Sequence, residues 1–204
     1  RPTVDQGVVY FGSMDHKLYA VGLKSGELIW EFETDGSITA SPLIVGERLY
    51  FGSFDRWFYS VDLQTGGLIW KTRGDQWFWA GGVSSDGIVY AATLGGSVYA
   101  FDPEDGNLLW FNTVTGAVVV PPFVFDDKIG VVTDKGFFTV FQGNTGAQEW
   151  GPSLGDFAIR APVVLNEDLA YISGSDGFVR VVNVVEHRIA SQGNRDLWEI
   201  QVDD

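Results

Sequence analysis

The sequence predicts an all-β repeat protein, a β-propeller of five four-stranded antiparallel blades, and three observations carry that prediction. Trp30, Trp70, Trp110 and Trp150 recur at one constant interval without drift. A fixed period of about 40 residues marks a repeated supersecondary unit. Gly26, Gly66, Gly106 and Gly146 stand at one constant offset before them, four positions upstream in each case. Between these marks the chain breaks into short runs rich in aromatic and β-branched residues and bounded by Gly, Asp or Ser. No helical period of useful length interrupts them.

The second repeat shows the unit most plainly. Pro42-Leu-Ile-Val, Arg48-Leu-Tyr-Phe-Gly-Ser53, Trp57-Phe-Tyr-Ser-Val-Asp62 and Gly67-Leu-Ile-Trp-Lys-Thr72 read as four strands, A to D. Strand A begins near Pro2, Pro42, Gly82, Pro122 and Pro162; a proline is tolerated there because strand ends and sheet edges leave an N–H unused. Strand B carries Tyr10, Tyr50, Tyr90, Gly130 and Ala170, and strand C carries Tyr19, Tyr59, Tyr99, Thr139 and Val179. Ser13, Ser53, Thr93, Thr133 and Ser173 close strand B and are expected to bond turn backbone. The glycine column falls in the C–D hairpin, where positive φ suits glycine. The tryptophan column is expected to dock each sheet onto its neighbour, since a buried indole hides roughly 150–250 Å². Blades then fall near 1–36, 37–76, 77–116, 117–156 and 157–204 in a single domain. In the fifth, Glu186 and Ala190 stand in the glycine and tryptophan columns. An eight-residue insertion within Val184–Arg195 would bring Trp198 into the docking position.

Composition narrows the function. The 204 residues include 27 acids against 13 bases, a net charge of −14. Nucleic acid and anionic membranes need Lys and Arg clusters, so neither is expected as a partner. No apolar run is long enough to span a membrane, which would take roughly 18 residues or more. Cysteine is absent, which removes disulfides, thiolate nucleophiles and thiolate metal sites. The chain opens on Arg1 without a signal-peptide pattern and is read as processed or partial. His16 and His187, the two histidines, lack metal-pair spacing. No G-x-S-x-G, P-loop, G-x-G-x-x-G or EF-hand loop is present. The expectation is a protein with no cofactor, no metal and no catalysis.

The segments Val21-Gly-Leu-Lys-Ser-Gly-Glu-Leu-Ile-Trp30, Val61-Asp-Leu-Gln-Thr-Gly-Gly-Leu-Ile-Trp70 and Phe101-Asp-Pro-Glu-Asp-Gly-Asn-Leu-Leu-Trp110 resemble the tryptophan-docking repeat of the PQQ-like propeller family. Phe141-Gln-Gly-Asn-Thr-Gly-Ala-Gln-Glu-Trp150 is a weaker copy. The resemblance covers essentially the whole chain and implies a propeller fold. It does not fix function, because the family includes quinoprotein dehydrogenases, the barrel-assembly lipoprotein BamB and sensor domains. Dehydrogenase activity is not expected: the adjacent-cysteine ring of those enzymes is impossible here, and their calcium and carboxylate motifs have no match. Family propellers commonly have seven or eight blades, so either five blades close or further blades lie outside this sequence. The resemblance also implies an extracytoplasmic location.

Function is sought where the repeats disagree. The D–A connectors read Ser37-Ile-Thr-Ala40, Trp77-Phe-Trp-Ala80, Ala117-Val-Val-Val120 and Phe157-Ala-Ile-Arg160. The second is the aromatic outlier, and the B–C turn Phe54-Asp-Arg-Trp57 of the same repeat matches it. Arg56, Trp57, Trp77, Phe78 and Trp79 are therefore expected on one face as a partner-binding patch, with Asp55 and Asp75 nearby; the alternative is that Trp77 and Trp79 plug the channel or wedge between blades 2 and 3. Arg160, the one charge in its column, is expected to face the channel, in a salt bridge or awaiting an anion. The expected function is a non-enzymatic scaffold for a protein or peptide partner. A small-ligand sensor, for a sugar for example, and BamB-like assembly remain its rivals.

Overall fold

The computed structural model describes residues 1–159 and 161–189, and their strands form five four-stranded antiparallel sheets. Blade 1 comprises β1 (Thr3–Asp5), β2 (Val8–Gly12), β3 (Lys17–Gly22) and β4 (Leu28–Glu33). Blade 2 comprises β5 (Leu43–Val45), β6 (Arg48–Gly52), β7 (Trp57–Asp62) and β8 (Leu68–Arg73). Blade 3 follows as β9 (Val83–Ser85), β10 (Ile88–Ala92), β11 (Ser97–Phe101) and β12 (Leu108–Thr113). Blade 4 holds β13 (Phe123–Phe125), β14 (Lys128–Val132), β15 (Phe138–Gln142) and β16 (Gln148–Trp150). Blade 5 holds β17 (Val164–Asn166), β18 (Leu169–Ser173), β19 (Val179–Asn183) and β20 (Arg188–Ile189). Within each sheet, strands pair in chain order. Residues at or just before each first strand (Thr3, Ser41, Gly81, Pro121 and Pro162) line one central cavity. The blades therefore radiate from a common axis as a propeller.

Alternation along the strands builds the core between blades rather than within them. Tyr10, Leu18, Ala20 and Trp30 of blade 1 meet Leu49, Phe51, Tyr59 and Val61 of blade 2. The same faces meet between blades 2 and 3, with Tyr50, Phe58 and Trp70 against Val89, Ala91, Tyr99 and Phe101. Each indole lies on the glycine column of the next blade. A Cβ at Gly66 would stand 2.7 Å from Trp30, and one at Gly106 would stand 2.5 Å from Trp70. Those glycines also hold φ at +71° and +72°. The column thus has two causes, a left-handed turn and the need to expose flat backbone to an indole. The indole N–H completes the dock: Trp30 donates to Leu63 O at 3.2 Å, Trp70 to Pro103 O at 2.9 Å and Trp110 to Gly143 O at 2.6 Å.

Blade 5 corrects the sequence register. Leu154 N bonds Gly136 O as Val114 N bonds Gly96 O, still one repeat period apart. Ser175 N bonds Ala158 O as Asp134 N bonds Ala117 O, but this pair lies one position beyond the period. One extra residue therefore sits between Leu154 and Ala158, where Phe157 turns into the core. Gly174, not Ser173, closes strand B, since its N–H donates to Phe178 O as Thr133 donates to Phe137 O. Tyr171 and Arg180 then replace Ala170 and Val179 in the two tyrosine columns.

Of the predicted C–D insertion within Val184–Arg195, the described part takes in no extra residue, and positions 190–195 lie outside the described residues. Asn183 caps a short turn, accepting from Val185 N and Glu186 N at 3.1 and 2.7 Å, and Arg188–Ile189 pair with β19 directly afterwards. No extra residues enter between Val184 and Ile189. His187, rather than Glu186, occupies the glycine position with φ +52°, and its ring stacks on Trp150 at 5.4 Å. Trp198, Ala190 and Arg195 lie outside the described residues.

The five blades form a partial propeller. Val9, Phe11, Tyr19 and Val21 of blade 1 stay half-exposed, whereas their blade 2 counterparts Leu49, Phe51, Tyr59 and Val61 are buried. Among the described residues, no apolar cluster joins blade 5 to blade 1.

Candidate functional site

The D–A connectors and B–C turns share one end of the strands and surround the mouth of the central cavity. Phe54, from the B–C turn of blade 2, stacks on Trp77 at 5.0 Å with planes 10° apart and on Trp79 at 5.2 Å with planes 14° apart. Phe54 thus joins both indoles in one three-ring stack. Trp77 and Trp79 remain 44% and 42% exposed. Backbone fixes the geometry: Phe54 N bonds Ser37 O at 3.0 Å and Leu94 N bonds Trp77 O at 3.0 Å. Trp79 also lines the central cavity, of about 750 Å³, beside Thr39, Ala80 and Val119.

The structure divides the residues that the sequence groups together. Phe78 does not reach this face. Its ring is fully buried between blades 2 and 3, on Phe58 and Tyr99 at 5.4 and 5.8 Å. The fit requires Gly52, where a Cβ would overlap Phe78. Ile38, Val118 and Ile159 occupy the same buried connector position. The fourth connector in true register therefore begins at Ala158 rather than Phe157. Trp57 is also separate: it packs on the interface of blades 1 and 2, with Lys71 Nζ 4.6 Å above its ring. Arg56 is exposed at φ +73° on the stack's own turn. Arg160 lies outside the described residues. Phe54 is the residue that the sequence passes over; it was legible as the aromatic member of a turn otherwise filled by Met14, Leu94 and Asp134.

The nearby carboxylates are committed to structure. Asp55 accepts the Tyr59 hydroxyl at 2.5 Å and Asp35 N at 3.2 Å. Asp15 accepts Tyr19 at 2.7 Å in the same manner. Blade 3 has Gly95 at that position, and Asp75 from the preceding connector fills the space, accepting Thr93, Ser97 and Tyr99 hydroxyls at 2.7, 3.0 and 3.1 Å. Burial of Asp75 favours its neutral form, but the hydroxyl donors and the Gln76 N–H outweigh it and hold the carboxyl below its usual range. A carboxyl depressed in the folded state stabilises above its unfolded pKa, about 3.9, and that contribution fades as pH falls through the folded value. Asp75→Asn is therefore expected to lower Tm at pH 7, with the gap to wild type narrowing below about pH 3.9; thermal melts across that range check it. Among the described residues, no group of three or more His, Asp or Glu side chains could hold a metal ion. Among the same residues, no helix is long and apolar enough to cross a membrane.

Comparisons with known proteins agree with the propeller fold. The family model described as outer membrane protein assembly factor BamB matches residues 1–77 and 55–201. The chain belongs to this BamB-like family of PQQ-type propeller repeats. The crystal structure of BamB from Moraxella catarrhalis superposes with a TM-score of 0.80 at 17% identity, covering 92% of this chain and 58% of that one. The computationally designed Ika8 protein gives 0.83 at 16% identity, covering 93% of this chain and 59% of that one. The chain thus spans less than two thirds of either structure, and likeness at such identity concerns the fold. No match is found among curated protein sequences.

Proposed function

We propose that this BamB-like propeller is a non-enzymatic scaffold that holds a protein or peptide partner on the Trp77–Phe54–Trp79 stack, in an extracytoplasmic setting. The observation that carries the reading is the stack itself: two indoles about two-fifths exposed, stacked on a phenylalanine at a cavity mouth. Exposed apolar rings are unfavourable in water, and Trp is the residue type that most often dominates interface energetics. Two exposed indoles joined through one phenylalanine offer a surface wider than a single small ring, which suits an extended chain. The family description, outer membrane protein assembly, supports a polypeptide partner.

A random-peptide display library selected on the purified chain is the test. Enriched peptides should bind, and the double variant Trp77→Ala/Trp79→Ala should weaken them at least about tenfold with the circular dichroism spectrum unchanged. Failure to enrich any peptide, or binding indifferent to both substitutions, contradicts the proposal.

A further inference from the structure

The opposite end of the strands, where the A–B and C–D turns lie, carries a groove that the repeat itself interprets. Between blades 2 and 3, Arg48 lays its guanidinium across the gap. Its Nη1 donates to Pro103 O at 2.9 Å and to Glu104 O at 2.8 Å, and Nη2 pairs with the Glu104 carboxylate. Tyr50 and Trp70 wall that spot, donating to the same Pro103 O at 3.3 and 2.9 Å. One interface earlier the wall is repeated: Tyr10 and Trp30 donate to Leu63 O at 3.4 and 3.2 Å. The cation has no counterpart there. Position 8, the equivalent of Arg48, is valine, and a cavity of about 490 Å³ remains, lined by Asp5, Val8, Tyr10, Trp30, Glu47 and Gln64 among others.

The charges differ between the two interfaces: Gln64 stands where Glu104 pairs with Arg48, and the carboxylates of the first groove come from other positions, Asp5 and Glu47. Arg48 faces Val45 across the sheet, whereas Val8 faces Asp5. Gly87 stands where blade 2 has Glu47. One interface supplies its own cation; the other presents two carboxylates and, among the described residues, no basic side chain pairs with either. We propose that this groove is a binding site for an alkylguanidinium group, an arginine side chain or its free analogue, seated where Arg48 sits one blade on. The planar guanidinium suits the paired carbonyls of the C–D turn and the carboxylates of Asp5 and Glu47. Its stem would lie along Val8 and the Tyr10 and Trp30 rings. The site is independent of the aromatic stack.

The test follows the Trp30 indole N–H resonance of the ¹⁵N-tryptophan-labelled chain. Acetyl-Gly-Arg-Gly-amide and agmatine should shift it saturably, while the neutral isostere acetyl-Gly-citrulline-Gly-amide should not. Tighter binding of the peptide points to a partner's side chain, and equal binding to a free small molecule. Asp5→Asn/Glu47→Gln should weaken both at least about tenfold. Val8→Arg should place the cation in cis and abolish the titration. No Trp30 shift at about 20 mM ligand, an equal response to citrulline, or titration unchanged in either variant overturns the proposal.

Discussion

Trp70→Ala should destabilise the protein by about 3–5 kcal/mol, the range for an aromatic truncated in a well-packed core. The indole is 8% exposed and touches Tyr50, Phe58 and Phe101 at centroid distances of 5.7, 6.3 and 6.0 Å. Its loss opens a cavity between blades 2 and 3 and removes the donor to Pro103 O. Trp150→Ala should cost less. That indole is only half-buried, has no N–H acceptor among the described residues and rests on His187 rather than on a glycine. Urea denaturation of both variants checks the order, and equal losses would contradict it.

Phe78→Ala should cost a similar amount, about 3–5 kcal/mol, while Trp77→Ala and Trp79→Ala should each cost about 1 kcal/mol or less, because their rings are already partly in water. Three consecutive aromatics are thereby separated into one structural residue and two surface residues. The contrast follows from alternation, which turns Phe78 inward to Gly52 and leaves its neighbours on the rim. Chemical denaturation of the three single variants checks it. A large loss for either tryptophan would mean that the stack, rather than the plug, holds the connector.

Much of this was legible in the sequence. The repeat period, the strand boundaries and the docking tryptophans follow from spacing and residue type, because every interface uses the same alternation. What failed was counting. A single residue added before Ala158 moved blade 5 out of register, and periodicity alone does not show where an insertion sits. The convergence of Trp57 and Phe78 with the rim failed for a different reason. Alternation along extended backbone, in β7 and in the connector after β8, sends adjacent residues to opposite sides, so closeness in sequence did not mean a shared face. The groove beside Trp30 leaves no mark in the sequence, because Val8 is unremarkable until Arg48 shows what its position can hold. Family membership adds the fold and a coarse expectation of a protein partner. The stack and the groove come from this chain's own departures from its repeat.

Recurring indoles, sealed on the next blade, hold the radial array together. Hydrogen exchange of the indole N–H groups, read by NMR, is the test of that docking. Trp30, Trp70 and Trp110 should exchange at least about a thousandfold more slowly than Trp77 and Trp79, as buried donors opening only with their interfaces. Exchange at one common, unprotected rate would show that the indoles do not dock the blades.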